Sequence, residues 1–324
     1  TAVCHAQPVG LSTALHLSAA ARLPATVRFV TFDASRMLSR GETLAIGLWG
    51  DSHAAANFFT EEMIASLGLN KQQVRPTFIP PTMGRGGVRL PLRKFCQSPG
   101  WSYALAYTAK SDAPSFSSAL ATLVNTAPGT ELALDFRFAD GKPALTALAI
   151  LFNEIRSDDV VVDIDVDGVP YNAVALPRGE NRLVLQASKP FSIVRLRVVA
   201  GTLALEGFAP VYAAKPELYV DTFGIPGATA RGWRTVDPGY LKRRSVPRDY
   251  DVVMLEYGTN EGADRNFDAA AYRDGLRASL RKMRTAFPAA QCVLIGPTDR
   301  GVLVKKSRPG KKATGKTSNK TVDV

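Results

Sequence analysis

Histidine is nearly absent from this chain. His5, His16 and His53 are the whole supply, and nothing beyond position 53 carries an imidazole. Chemistry that needs an imidazole base from the second half is therefore excluded for these 324 residues. Cysteine is equally scarce: Cys4, Cys96 and Cys292 form no C-x-x-C pair, so neither a zinc ribbon nor a thioredoxin-like centre is indicated. Cys292 lies in an apolar run and reads as a small buried hydrophobe, while a Cys4–Cys96 pairing is left open. No run of 18 apolar residues is present, and no transmembrane segment is expected. The glycine-rich stretch Met83-Gly84-Arg85-Gly86-Gly87 matches neither a phosphate loop nor a dinucleotide fingerprint, and reads as a turn.

What is present is enough apolar material for a large core: 46% of the residues are hydrophobic, which at this length predicts two domains. The formal charge of +11 is unevenly spread, because residues 301–324 hold seven basic side chains against Asp323 alone. That segment carries Gly, Ser, Thr and Pro among its lysines and reads as a solvated loop or tail. It lacks interleaved aromatics, so no nucleic-acid partner is expected. A cationic surface of this kind suits an anionic polysaccharide or a bacterial envelope.

Up to about Arg40 the chain shows helical stretches around Leu11 to Leu23 and no nameable chemistry. Thr43 to Trp49 then reads as a buried strand, and Asn57 to Leu67 as a helix with apolar residues at helical spacing. From Trp101 to Ala213 the pattern shifts to short alternating runs: 131–138, 144–152, 160–166, 182–186 and 193–199, with Asp140-Gly141 and Asp167-Gly168 as turns. Such spacing predicts an antiparallel sandwich. Past Pro216, strands are expected at 218–222, 251–256 and 292–295. The last two are joined by an amphipathic helix whose apolar face runs from Phe267 to Phe287 and whose opposite face bears Arg273, Arg277, Arg281 and Arg284. The arginine row is most simply a solvated face. The expected architecture is α/β, with a discontinuous parallel-sheet domain over 1–100 and 214–324 and an inserted all-β domain over 101–213.

Three sequence corners follow strands of the parallel sheet, where ligands of open α/β sheets gather. They are Gly50-Asp51-Ser52-His53, Gly224-Ile225-Pro226-Gly227-Ala228 and Gly258-Thr259-Asn260-Glu261. Ser52 is the candidate nucleophile, at a strand-to-helix turn whose backbone N–H groups favour negative charge. The N–H groups of Ser52 and Gly227 and the amide of Asn260 are candidate donors to an oxyanion, one such donor being worth roughly 3 kcal/mol. Asp51, His53 and Gly258 read as support for this corner. Singly, each piece has a plain structural reading: Asp-Ser is a common helix cap, and Gly-Thr-Asn-Glu is an ordinary turn.

Together the three corners resemble the SGNH (GDSL-type) hydrolases. Gly50 to His53 looks like the nucleophile block, Gly224 to Gly227 like the glycine block, and Gly258 to Glu261 like the asparagine block, with Glu261 where many members have Asp. The extended Gly-Asp-Ser-His form and the β-sandwich insert are most similar to the bacterial peptidoglycan O-acetylesterases. The resemblance implies a flavodoxin-like sheet with a jelly-roll-like insert and a serine esterase removing O-acetyl groups from an envelope polysaccharide. It also implies a periplasmic or otherwise exported location, an acetylated glycan as partner, and no metal or organic cofactor.

The family's last block, Asp-x-x-His, has no counterpart here: Asp264, Asp268, Asp274, Asp299 and Asp323 all lack the histidine. His53 is a poor substitute, since adjacency to Ser52 on a tight turn should send its ring elsewhere. The expectation is that the base histidine and its orienting aspartate lie on a companion C-terminal fragment of the same polypeptide, beyond the protease-sensitive basic segment. Two other readings stand beside the esterase: a polysaccharide O-acetyltransferase using the same serine, and a catalytically inactive glycan-binding module.

Overall fold

The computed structural model describes residues 3–6 (backbone only), 43–89, 91–110, 116, 119–138, 140–156, 160–239, 241 and 249–297. The expected helical stretch at 11–23 and the basic segment at 301–324 lie outside the described residues.

Residues 43–50 are almost uniformly apolar, so a strand formed from them must be covered on both faces. It is: β2 (Leu44–Gly50) is buried along its whole length at the centre of a five-stranded parallel sheet. On one side β2 pairs with β14 (Leu218–Gly224), which in turn pairs with the two-residue β3 (Val74–Arg75). On the other side it pairs with β15 (Val252–Glu256), followed by β16 (Gln291–Ile295). The helices α1 (Ser52–Ala55), α2 (Phe58–Ser66), α3 (Thr259–Gly262) and α4 (Ala269–Ala286) flank this sheet. Helix α4 is started by Asp268, whose carboxylate accepts from the Ala270 and Ala271 N–H groups. It buries Ser279, Met283 and Ala286, and its arginine row is exposed as expected. Phe267 does not share the apolar face: it precedes the helix and is exposed, because Asp268 takes the cap position.

The antiparallel part is a sandwich. One sheet runs β1 (Val3–Ala6), β4 (Lys94–Gln97), β7 (Glu131–Asp135), β12 (Ile193–Ala200), β9 (Val160–Val166) and β10 (Val169–Leu176). The other runs β11 (Arg182–Phe191), β8 (Leu145–Phe152), β13 (Ala204–Tyr212), β6 (Ala121–Asn125) and β5 (Trp101–Leu105). Alternating residues such as Val194, Leu196 and Val198 from one sheet meet Leu145, Leu148 and Ile150 from the other in one apolar core. The first sheet draws β1 and β4 from outside the 101–213 span. Strand β11 also runs past Gln186 to Phe191, through a register irregularity and largely exposed residues, which is why alternation alone ended it early. Phe136 is in the core, Phe138 and Tyr212 are partly buried, and Tyr171 is 53% exposed.

The two parts meet through a second apolar cluster. Trp49 stacks on Phe223 at 4.4 Å and packs edge-on to Trp233 and Tyr250, and Ala106, Phe116 and Leu120 from the sandwich side join the same core. The chain leaving β3 is pinned by Asp221 of β14. Its buried carboxylate accepts from Thr77 N–H at 2.6 Å, Phe78 N–H at 2.9 Å, Tyr250 O–H at 2.6 Å and the Thr77 hydroxyl. Immediately afterwards Ile79 exchanges both backbone hydrogen bonds with Phe208 of β13. Cys96 is disulfide-bonded, Cys292 is free and half-buried, and the β1–β4 register sets Cys4 opposite Cys96.

Candidate active site

The three corners stand at one end of three adjacent strands. Gly50 is level with Gly224 on one side and with Glu256 on the other. Short bonds join them: Ile225 N–H donates to Gly50 O at 3.1 Å, and Asp51 N–H to Glu256 O at 3.2 Å. Close approach is what makes the glycines necessary. A Cβ on Gly224 would fall 2.1 Å from the Ala55 nitrogen, and one on Gly50 would fall 2.7 Å from both Ala54 Cβ and Glu256 Oε2.

Ser52 is the first residue of α1, half-buried, and its hydroxyl makes no hydrogen bond among the described residues. Asp51, fully buried, caps the helix by accepting from His53 N–H at 2.9 Å. The His53 ring turns to the neighbouring strand end: its Nδ1 lies 3.3 Å from Asp51 Oδ1, 3.5 Å from Glu256 Oε1 and 3.4 Å from Thr259 Oγ1. Glu256, which sequence reasoning passed over, thus completes an Asp/His/Glu cluster compatible with catalytic chemistry, its two carboxylates buried and its imidazole 40% exposed. Burial, and then the charge of Asp51, push the Glu256 carboxyl up to about 7. The ligating atoms of Asp51, His53 and Glu256 lie within 4.8 Å of one another, a donor set that could also hold a cation.

Asn260 spans the other two corners. Its Nδ2 donates to Ala228 O at 2.8 Å and to Asp51 Oδ2 at 3.5 Å. Gly227 has φ +83° and is exposed, and no backbone partner takes the N–H of Gly227 or of Ser52 among the described residues. Gly258, at φ +132°, is hemmed in by the Tyr272 hydroxyl, which donates to Tyr257 O at 3.0 Å. Glu261 holds two corners in place, since its Oε1 accepts from Ala230 N–H at 2.8 Å and ties the asparagine corner to the glycine corner. The glycine-rich stretch starts inside the helical turn Pro81–Gly84 and continues as a turn through Gly87, and the Arg85 guanidinium reaches the Pro226 carbonyl at 3.4 Å. The expected base histidine has no counterpart among the described residues.

A parallel sheet flanked by helices, with two antiparallel sheets forming an inserted sandwich, is a flavodoxin-like, SGNH-like fold. Among solved structures, the chain is similar to a peptidoglycan O-acetylesterase, with TM-score 0.56 and 20% identity over 80% of this chain and 69% of that one. A family two carbohydrate esterase from Cellvibrio japonicus aligns at TM-score 0.22 and 12% identity, over 62% of this chain and 77% of its own. No family model and no curated protein sequence matches.

Proposed function

We propose that the protein is a serine esterase that removes O-linked acetyl groups from a bacterial cell-wall or envelope polysaccharide, with peptidoglycan the preferred candidate. The observation that supports this most directly is the unpartnered Ser52 hydroxyl at the end of the central strand, level with the glycine and asparagine corners. In this reading Ser52 Oγ attacks the ester carbonyl. The N–H groups of Ser52 and Gly227 and the Asn260 amide, turned from Ala228 O, take the developing charge. The sugar alcohol leaves with a proton, and water then releases acetate. The Ser52 proton passes to a histidine that we place, with its orienting aspartate, on a companion segment, because the His53 ring makes no hydrogen bond to the Ser52 hydroxyl among the described residues. The disulfide at Cys96 favours an oxidising, exported setting. No described helix is long and apolar enough to cross a membrane.

The test is acetate release from O-acetylated peptidoglycan and from a chromogenic acetate ester by a preparation that includes the companion segment. Ser52→Ala is expected to lower turnover by about 10³-fold or more, whereas His53→Ala should retain at least roughly a tenth of it. Unchanged turnover in Ser52→Ala would sink the mechanism. Collapse in a folded His53→Ala would move the base to His53 and remove the companion segment from the account.

A further inference from the structure

A cavity of about 500 Å³ lies between α2 and β14 on one side and residues 74–76, 78, 80, 88–89, 91–93 and 136–138 on the other. It meets the Ser52 corner only through Ala55 and Gly224. Its wall is rich in cations, and they are unequally matched. Glu61 takes both Arg89, at 2.6 Å, and Lys71, at 3.0 Å. Asp135 takes Arg137 in a fork through Nε and Nη2. Arg93, exposed at the rim, shares the charge of Asp135, whereas Arg75 has no carboxylate partner among the described residues.

Arg75 is the informative one. It is half-buried, its Nη1 donates to the carbonyls of Lys71 at 2.9 Å and Val74 at 2.7 Å, and its guanidinium lies 4.1 Å over the Phe138 ring. Carbonyls and a ring face orient the group and leave its charge unpaired. Burial accordingly lowers its pKa from the usual arginine value. Holding a cation in a cleft is costly unless something brings the opposite charge.

A second observation is independent of charge. The Thr60 hydroxyl, on a residue only 4% exposed, and the Asn57 Oδ1 are buried without hydrogen-bond partners, and both residues line this cavity. One offers a donor and the other an acceptor, which the hydroxyls of a sugar satisfy together.

We propose that this cavity binds a carboxylate-bearing sugar, the carboxylate pairing with the free edge of Arg75 and the ring hydroxyls meeting Thr60 and Asn57. One unpaired guanidinium in the wall matches a monoanion better than a doubly charged phosphate. The choice of a sugar rests on the polysaccharide reading above; the need for an anion does not.

Calorimetric titration of the full chain with D-glucuronic acid, D-glucose and inorganic phosphate tests this. Glucuronic acid should bind saturably and at least about tenfold more tightly than either of the others. Arg75→Gln should weaken it by about tenfold or more and Thr60→Val, which keeps the shape, by several-fold. Ser52→Ala should leave it unchanged. Absent binding, glucose or phosphate binding as tightly as glucuronic acid, or wild-type affinity in Thr60→Val, overturns the proposal, and Thr60→Val decides if Arg75→Gln fails to fold. Failure of the esterase reading would show in acetate release alone, with these affinities intact.

Discussion

Replacing Glu256 by glutamine should stabilise the protein above neutral pH and do nothing for it in acid. The carboxyl is 5% exposed, faces Asp51, and is raised from an ordinary 4.5 to about 7. The folded protein therefore keeps a proton that the unfolded chain releases between those values, and stability falls as pH rises through that window. At about 1.4 kcal/mol per pKa unit, the full cost above pH 7 is on the order of 3 kcal/mol. Glutamine never carries the charge. It gives up the charged acceptor that receives Asp51 N–H at 3.3 Å, a loss of about 1 kcal/mol. The expected net gain is about 2 kcal/mol at pH 8 and none near pH 4.5. Urea unfolding followed by tryptophan fluorescence is the assay, since Trp49 and Trp233 are buried in the core beside the sheet. Parallel stability–pH curves for the two proteins would refute the reasoning.

Gly224→Ala should cost more than about 3 kcal/mol or prevent folding, because its Cβ meets the backbone nitrogen of Ala55 rather than a movable side chain. Gly86→Ala, with nothing within 4 Å, is the control and should stay within about 0.5 kcal/mol of wild type in the same urea titration. Asp221→Asn replaces one carboxylate oxygen by a donor facing groups that already donate, and should cost about 2–4 kcal/mol in thermal or urea unfolding.

The parallel sheet was legible because its strands are short, mainly apolar runs with a glycine at or just past the end: 44–50, 218–224 and 252–256 need no partner to be recognised. The three corners were legible for the same reason, since each begins where such a run stops. Sandwich strands with clean alternation, 160–166 and 193–200, were also readable. Strand β10 was not, because it is exposed along most of its length, nor was β13, which carries Gly207 and Pro210. Strand β4 was not singled out, because only Phe95 of its four residues is fully buried. Glu256 escaped notice because its partner, Asp51, is 205 positions away and its own strand is otherwise apolar. Arg75 gave no local sign, since what distinguishes it is the absence of a counter-ion, a property of three dimensions.

That separation also bears on how the sheet closes. Strand β2 cannot pair with β14 or β15 until the chain between them has been drawn in, and every residue left loose in that loop raises the entropy of closing it. The sandwich strands from β4 to β13 all lie within that loop, so their association shortens the path that the sheet must close. The Ile79–Phe208 bridge then fastens the exit of β3 to that finished body. The serine corner, shared among the ends of β2, β14 and β15, exists only once all three strands lie side by side, however complete the sandwich is.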